Sequence, residues 1–119
     1  DIVEYLENFP LYEEVTVNGK QFVMVHAGLI NFSPERTMDD YEMYELIFKV
    51  PYYNMVYFPD KYLVTGHLPT KAIYENPRPN KIFIQNNHIA IDCGSGYDGC
   101  IGCICLDTFE EFYSKEDEE

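Results

Sequence analysis

Two asparagine-led dipeptides, each set between short apolar runs, commit this chain to tightly reversing strands. Asn18-Gly19 separates Glu14-Val15-Thr16-Val17 from Gln21-Phe22-Val23-Met24-Val25. Asn86-Asn87 separates Ile82-Phe83-Ile84-Gln85 from His88-Ile89-Ala90-Ile91. An Asn-Gly pair adopts the positive φ angles of a type I′ turn at little cost, so strands can reverse there within two residues. Tyr62-Leu63-Val64-Thr65, residues 101–106 and Glu111-Phe112-Tyr113 add further strand signals. Two stretches read as helical. Residues 1–9 repeat Ile2, Leu6 and Phe9 at helical spacing until Pro10 stops them. Residues 39–49 place Met43, Leu46 and Ile47 on one face behind Asp39 or Asp40 as a cap. Residues 30–38 and 50–60 read as a loop and an irregular connection, and 94–99 as a Gly-rich loop. The expected fold class is therefore α/β but β-rich, a mixed or antiparallel sheet with one or two helices. It forms one unit over residues 1–114, followed by an acidic tail at 115–119.

Charge narrows the partners. With 21 acidic against 8 basic residues the net charge is −13. Such a surface repels nucleic-acid phosphates and anionic lipid, so neither is an expected partner. No apolar stretch approaches transmembrane length and no signal peptide is recognisable, which makes a cytoplasmic location the expectation. The four cysteines, Cys93, Cys100, Cys103 and Cys105, crowd into one segment and are expected to be reduced. Cys100-x-x-Cys103 is half a zinc knuckle without its other half. If 101–106 is a strand, Cys103 and Cys105 share a face and do not converge with Cys100. Small buried thiols lining a hairpin are the better reading.

Chemistry concentrates in two histidines. His26 ends the apolar run Phe22 to Val25 and is followed by Ala27-Gly28. His67 ends Tyr62 to Thr65 and is preceded by Gly66. Each imidazole thus stands where a strand stops at a sheet rim, beside a glycine that lets other backbone approach, as metal-binding imidazoles often do. The third, His88, opens a strand after Asn86-Asn87 and reads as a hydrogen-bonded surface residue. The tyrosines Tyr52, Tyr53, Tyr57 and Tyr62 read as packing a loop onto the core.

Several blocks carry a resemblance. Phe22-Val23-Met24-Val25-His26-Ala27-Gly28-Leu29, Leu63-Val64-Thr65-Gly66-His67-Leu68-Pro69-Thr70 and Asn87-His88-Ile89-Ala90-Ile91-Asp92-Cys93-Gly94 occur in this order, followed by Ile104-Cys105-Leu106-Asp107-Thr108. The ordered set resembles the carboxyl-terminal half of calcineurin-like metallophosphoesterases of the bacterial serine/threonine protein phosphatase kind. That resemblance implies an α/β/β/α sandwich of which this chain holds part. It also implies a pair of divalent metals (Mn, Fe or Zn) delivering hydroxide to a phosphoester, with His26 and His67 as ligands of one metal. Phosphoproteins are the implied substrate, and dinucleoside polyphosphates the alternative within the same class.

The chain departs from the family in what it lacks. The earlier Asp-x-His, Asp and Asn-His blocks, which carry the other metal ligands and the general acid, are not among its blocks, and the first residue is Asp1. It is expected to be the later half of such an enzyme, with no catalytic residue of its own, inactive alone and binding metal weakly or not at all. Where the family has arginine in a Trp-x-Arg segment, this chain has Phe48-Lys49-Val50, making Lys49 a candidate substrate contact without arginine's bidentate fork. Leu68 replaces the family's threonine. A sheet face left open by the absent half is expected to be covered by that half or by a second copy in a homodimer. The competing reading is a non-catalytic module that persists as an oligomeric or partner-binding domain.

Overall fold

A computed structural model describes residues 1–7, 10–96 and 99–114. The acidic tail at 115–119, Phe9 and part of the Gly-rich loop lie outside the described residues. The elements follow in chain order: α1 (Ile2–Glu7), β1 (Tyr12–Val17), β2 (Lys20–Val25), α2 (Met43–Ile47), β3 (Tyr62–Thr65), β4 (Phe83–Gln85), β5 (His88–Ala90), β6 (Gly102–Ile104) and β7 (Glu111–Tyr113). Single 3₁₀ turns occur at Met38–Asp40 and Thr70–Ala72. The protein is a small, strand-rich α/β protein with a mixed sheet and few helices.

Both Asn-led hairpins form. Val17 pairs with Lys20 across Asn18 (φ 52°) and Gly19 (φ 77°), and Gln85 pairs with His88 across Asn86 and Asn87 (both φ 57°). Between these hairpins the chain makes the pairing that matters most here. β2 runs parallel to β3, and β3 parallel to β5, giving the order β1-β2-β3-β5-β4. Parallel neighbours cannot be joined by a tight turn, so the long excursion between β2 and β3 is required by the topology.

Register sorts side chains onto two faces. Val23, Val25, Leu63, His88 and Ala90 point one way; Phe22, Val64 and Ile89 point the other. The first face is covered by α2 and the 29–58 excursion through Leu29, Met38, Tyr41, Leu46 and Tyr57, and by Tyr53 and Ile73 beside Ala90. The second is covered by the β6–β7 ribbon and its flanking loops, through Cys93, Cys100, Ile104 and Tyr113. Three layers result. The open face expected on the main sheet is therefore closed. Exposed apolar residues include Ile101 and Phe112 on the outer side of the ribbon, several along segment 43–56 (Phe48 76% exposed), Tyr74, and Ile84 on the edge strand β4.

The expected helix over 39–49 is shortened to α2. Tyr41 and Glu42 are extended, and Glu42 caps the new helix while its N–H is held by Glu45 Oε1 at 2.9 Å. Asp40 does not start α2; its carboxylate reaches back to the Thr37 N–H (2.8 Å) and ties the 3₁₀ turn. A helix of little more than one turn brings only Leu46 and Glu45 inside, leaving Met43 and Ile47 exposed.

Glu45 is 4% exposed and anchors the excursion. Arg36 grips its carboxylate with two guanidinium N–H groups (2.9 and 3.1 Å), Asn31 Nδ2 adds a third bond (3.0 Å), and Arg36 also donates to the Asn31 carbonyl and lies 3.9 Å over the Tyr41 ring. Bidentate charge-assisted pairing of this kind is among the stronger polar contacts. Arg36, followed by the Glu42 N–H, holds the Glu45 carboxyl down to about 2 from an ordinary 4.5. A folded-state value below the unfolded one stabilises above pH 4.5, and that stabilisation is lost as pH falls from 4.5 toward 2. Thermal denaturation is expected to show Glu45→Gln less stable than the parent at pH 7, with the gap closing as pH drops below about 4.5. A gap that is constant with pH would contradict the pairing.

Candidate metal-binding histidine pair

The parallel register carries both histidines to one place. Because Met24 lies beside Val64, continuing the two strands sets His26 beside Gly66, and the Gly66 N–H donates to the His26 carbonyl at 2.9 Å. His26 Nε2 and His67 Nδ1 then stand 3.0 Å apart, with ring centroids at 4.8 Å and planes inclined by 63°. Both side chains are exposed at the carboxyl end of the sheet, the rim at which open α/β sheets bind ligands.

Each histidine is fixed by its backbone. After His26, the Ala27 and Gly28 N–H groups both donate to the Leu46 carbonyl (2.9 and 3.3 Å), and Ile30 N–H donates to the Glu45 carbonyl (2.9 Å). The end of α2, whose last carbonyls lack partners within the helix, thus grips the chain leaving β2. His67 adopts φ 69°, and the Leu68 N–H closes back onto the Gly66 carbonyl at 2.8 Å. This three-residue turn with a positive-φ centre is rare and strained for a residue bearing a side chain, of order 1–3 kcal/mol. Strain of this kind persists where surrounding contacts over-determine it. Here they include Thr70 N–H to the Asp92 carbonyl (2.7 Å) and Ile91 N–H to the Thr65 carbonyl (2.9 Å).

Two imidazole nitrogens bound at about 2.0–2.1 Å to one cation, in tetrahedral or octahedral arrangement, stand roughly 2.9–3.4 Å apart. The observed 3.0 Å lies in that range. Without a cation the same approach is a ring-to-ring hydrogen bond whose donor is set by tautomer. The pair fits one edge of a coordination shell and no more. Among the described residues there is no group of three or more His, Cys, Asp or Glu side chains placed to hold a metal ion.

The remaining candidates fall elsewhere. Lys49 is exposed and joins Leu29, Phe32, Tyr52, Met55 and Tyr57 around a cavity of about 320 Å3, which does not include the histidine pair. The backbone at Lys49 and Pro51 packs on Gly28, two residues after His26. Leu68 packs toward Tyr53, Ile73 and Phe83. All four cysteines are free. Cys93 and Cys100 are buried as expected, whereas Cys103 is exposed and Cys105 half-buried, on the outer side of the two-stranded ribbon, which none of the described residues covers. Tyr53 and Tyr57 are buried in the core, and Tyr52 faces out.

His88 is a correction. It is 1% exposed, since β5 is an interior strand between β3 and β4. Its Nε2 meets Thr65 Oγ1 at 2.8 Å, its ring stacks on Tyr53 (5.1 Å, 7°), and its Nδ1 has no partner among the described residues. Burial pushes its pKa down to about 4, so the ring is neutral near pH 7. Sequence reasoning missed the Thr65–His88 contact, although Thr65 directly precedes Gly66-His67.

No protein-family model matches the chain, and no curated protein matches it.

The two rim glycines differ in a testable way. A Cβ on Gly28 would stand 2.8 Å from the Lys49 carbonyl oxygen and 3.0 Å from Pro51 N, both backbone atoms. A Cβ on Gly66 would meet only the His26 carbonyl, at 3.6 Å. Gly28→Ala is therefore expected to lower stability by about 1–3 kcal/mol in urea denaturation, and Gly66→Ala by little. Equal effects would contradict the close approach at Gly28.

Proposed function

We propose that the chain is the carboxyl-terminal part of a metal-dependent phosphoesterase of the serine/threonine protein phosphatase kind, supplying two histidine ligands to its metal centre. The observation that carries this reading is the 3.0 Å approach of His26 Nε2 and His67 Nδ1. The spacing suits two ligands of one cation, at strand ends where the ordered sequence blocks put metal-binding histidines. Neutral imidazoles suit Mn, Fe or Zn better than Ca. When bound, the metal would supply charge neutralisation at the phosphoryl group and water activation near neutral pH.

The chain's own residues supply position. The Leu46 carbonyl fixes the exit from β2, and the strained turn aims His67 across the rim at His26. Ligands and general acid from the earlier blocks are still required, so this chain alone is inactive toward phosphoesters. Phosphoproteins are the proposed substrates, dinucleoside polyphosphates the alternative within the class, and the cytoplasm the proposed location. Among the described residues no helix is long and apolar enough to cross a membrane.

Zinc titration of the chain, followed calorimetrically, is expected to show one site, weakened at least about tenfold in His26→Ala and in His67→Ala. Aryl phosphate hydrolysis is expected only when a polypeptide bearing the earlier blocks is added with manganese. The reading fails if both variants bind zinc as the parent does, or if no hydrolysis appears when the earlier blocks and manganese are supplied.

A second reading, a non-catalytic oligomeric module, draws support from Ile101 (65% exposed), Phe112 (51%) and Cys103 on the bare side of the ribbon. A twofold dimer covering that side would remove them from water. Sedimentation giving a dimer that Phe112→Lys dissociates would favour it. A monomer at high concentration would exclude it.

A further inference from the structure

We infer that His88 is a positioning residue for the histidine pair: through Thr65 it fixes the end of β3 and thereby holds the ring of His67 against that of His26. The consequence for metal affinity rests on the proposed function above; the consequence for the ring pair does not.

The connection is short and made of observed contacts. His88 Nε2 and Thr65 Oγ1 are 2.8 Å apart and buried. The Thr65 carbonyl accepts from Ile91 N–H (2.9 Å), so both its side chain and its backbone are held by the strand that carries His88. The next residue, Gly66, donates to the His26 carbonyl (2.9 Å), and the one after is His67, in the strained turn. The direction in which His67 leaves the sheet is therefore set by the last residue of β3.

His88 itself has little freedom to follow a shift. Tyr53 stacks flat on its ring at 5.1 Å, and Tyr57 meets it edge-on at 6.4 Å. Tyr57 is in turn tied by accepting from the Tyr52 N–H (2.9 Å). The side chain is placed where a leucine or phenylalanine would satisfy the core without exposing a bare polar atom, yet its Nδ1 lies buried without a partner among the described residues. Leaving a buried polar atom unsatisfied is costly, so packing alone does not account for an imidazole at this position. A bare lone pair costs less than a bare N–H inside a protein, which puts the proton on Nε2, donating to Thr65 Oγ1. Partners one step behind a metal-ligating histidine commonly orient its ring, and their loss lowers metal affinity by about 10–100-fold.

Thr65→Val keeps shape and removes the hydroxyl; Thr65→Ser keeps the hydroxyl. His88→Gln retains an N–H donor in place of the imidazole, whereas His88→Leu does not. All four, once shown to be folded by amide NMR, are compared with the parent in two readouts. The first is ring 15N NMR of His26 and His67 without metal, which reports the Nε2-to-Nδ1 hydrogen bond. The second is zinc affinity. Thr65→Val is expected to lose the ring hydrogen-bond signature and to weaken zinc by about 10–100-fold, with Thr65→Ser near the parent. His88→Leu and His88→Gln are expected to divide the same way, and if His88→Leu does not fold the threonine pair decides alone. Unchanged ring signals in folded Thr65→Val, or their absence from the parent, would overturn the inference. A parent that shows the ring signature but whose zinc affinity is unmoved by His26→Ala and His67→Ala would overturn the proposed function and leave the positioning role standing.

Discussion

β2 pairs with β3 in parallel, and the placement of both rim histidines follows from that pairing. Two strands that run the same way end at the same rim, so the residues just past their ends become neighbours whatever their distance in sequence. The Gly66 N–H to His26 carbonyl bond extends that pairing one step beyond the strands. It places two imidazoles where an antiparallel arrangement would have put them at opposite ends of the sheet. The ring nitrogens of positions 26 and 67 then stand 3.0 Å apart.

A parallel pair has to be joined by a crossover, and the energetics of this protein concentrate there. The segment between β2 and β3 has little regular structure, so its backbone is satisfied mainly by turns and side chains. Half-buried Arg36 and buried Glu45 form its polar centre, and Leu46, Met38, Tyr41 and Tyr57 seal it onto the sheet. The same short helix that contributes Glu45 and Leu46 also caps the chain leaving β2 through its terminal carbonyls. Packing of the core and placement of His26 are consequently one problem, and the close approach of backbone to Gly28 is part of it. On the other side of the rim, β5 plays the corresponding part for His67 through Thr65 and His88.

The portions of this architecture written in local chemistry were legible in the sequence. Asn18-Gly19 and Asn86-Asn87 specify reversals because their backbones take positive φ cheaply, and both hairpins formed in the expected register. The runs ending in His26 and His67 read as strands stopping at imidazoles, and so they are. What was not legible depends on which strands become neighbours. His88 looked like a surface residue because an Asn-Asn turn reveals where β5 begins but not that it lies between β3 and β4. Cys103 looked buried because alternation does not say that the outer side of a two-stranded ribbon stays bare. Residues 39–49 have helical spacing, yet Glu42 and Glu45 bond to each other, and Arg36 holds Glu45, so the helix starts late and stays short. The earlier metal ligands implied by the resemblance have no counterpart among the described residues, which leaves the histidine pair as the whole of the candidate centre.

In the proposed function, His26 and His67 offer their facing nitrogens to one cation. X-ray absorption of the zinc-loaded chain measures this most directly, because it counts imidazoles in the metal's first coordination sphere. Two imidazole nitrogens at about 2.0–2.1 Å, falling to one in His67→Ala, are predicted. A sphere of oxygen donors alone, or one unchanged by removing His67, would contradict it.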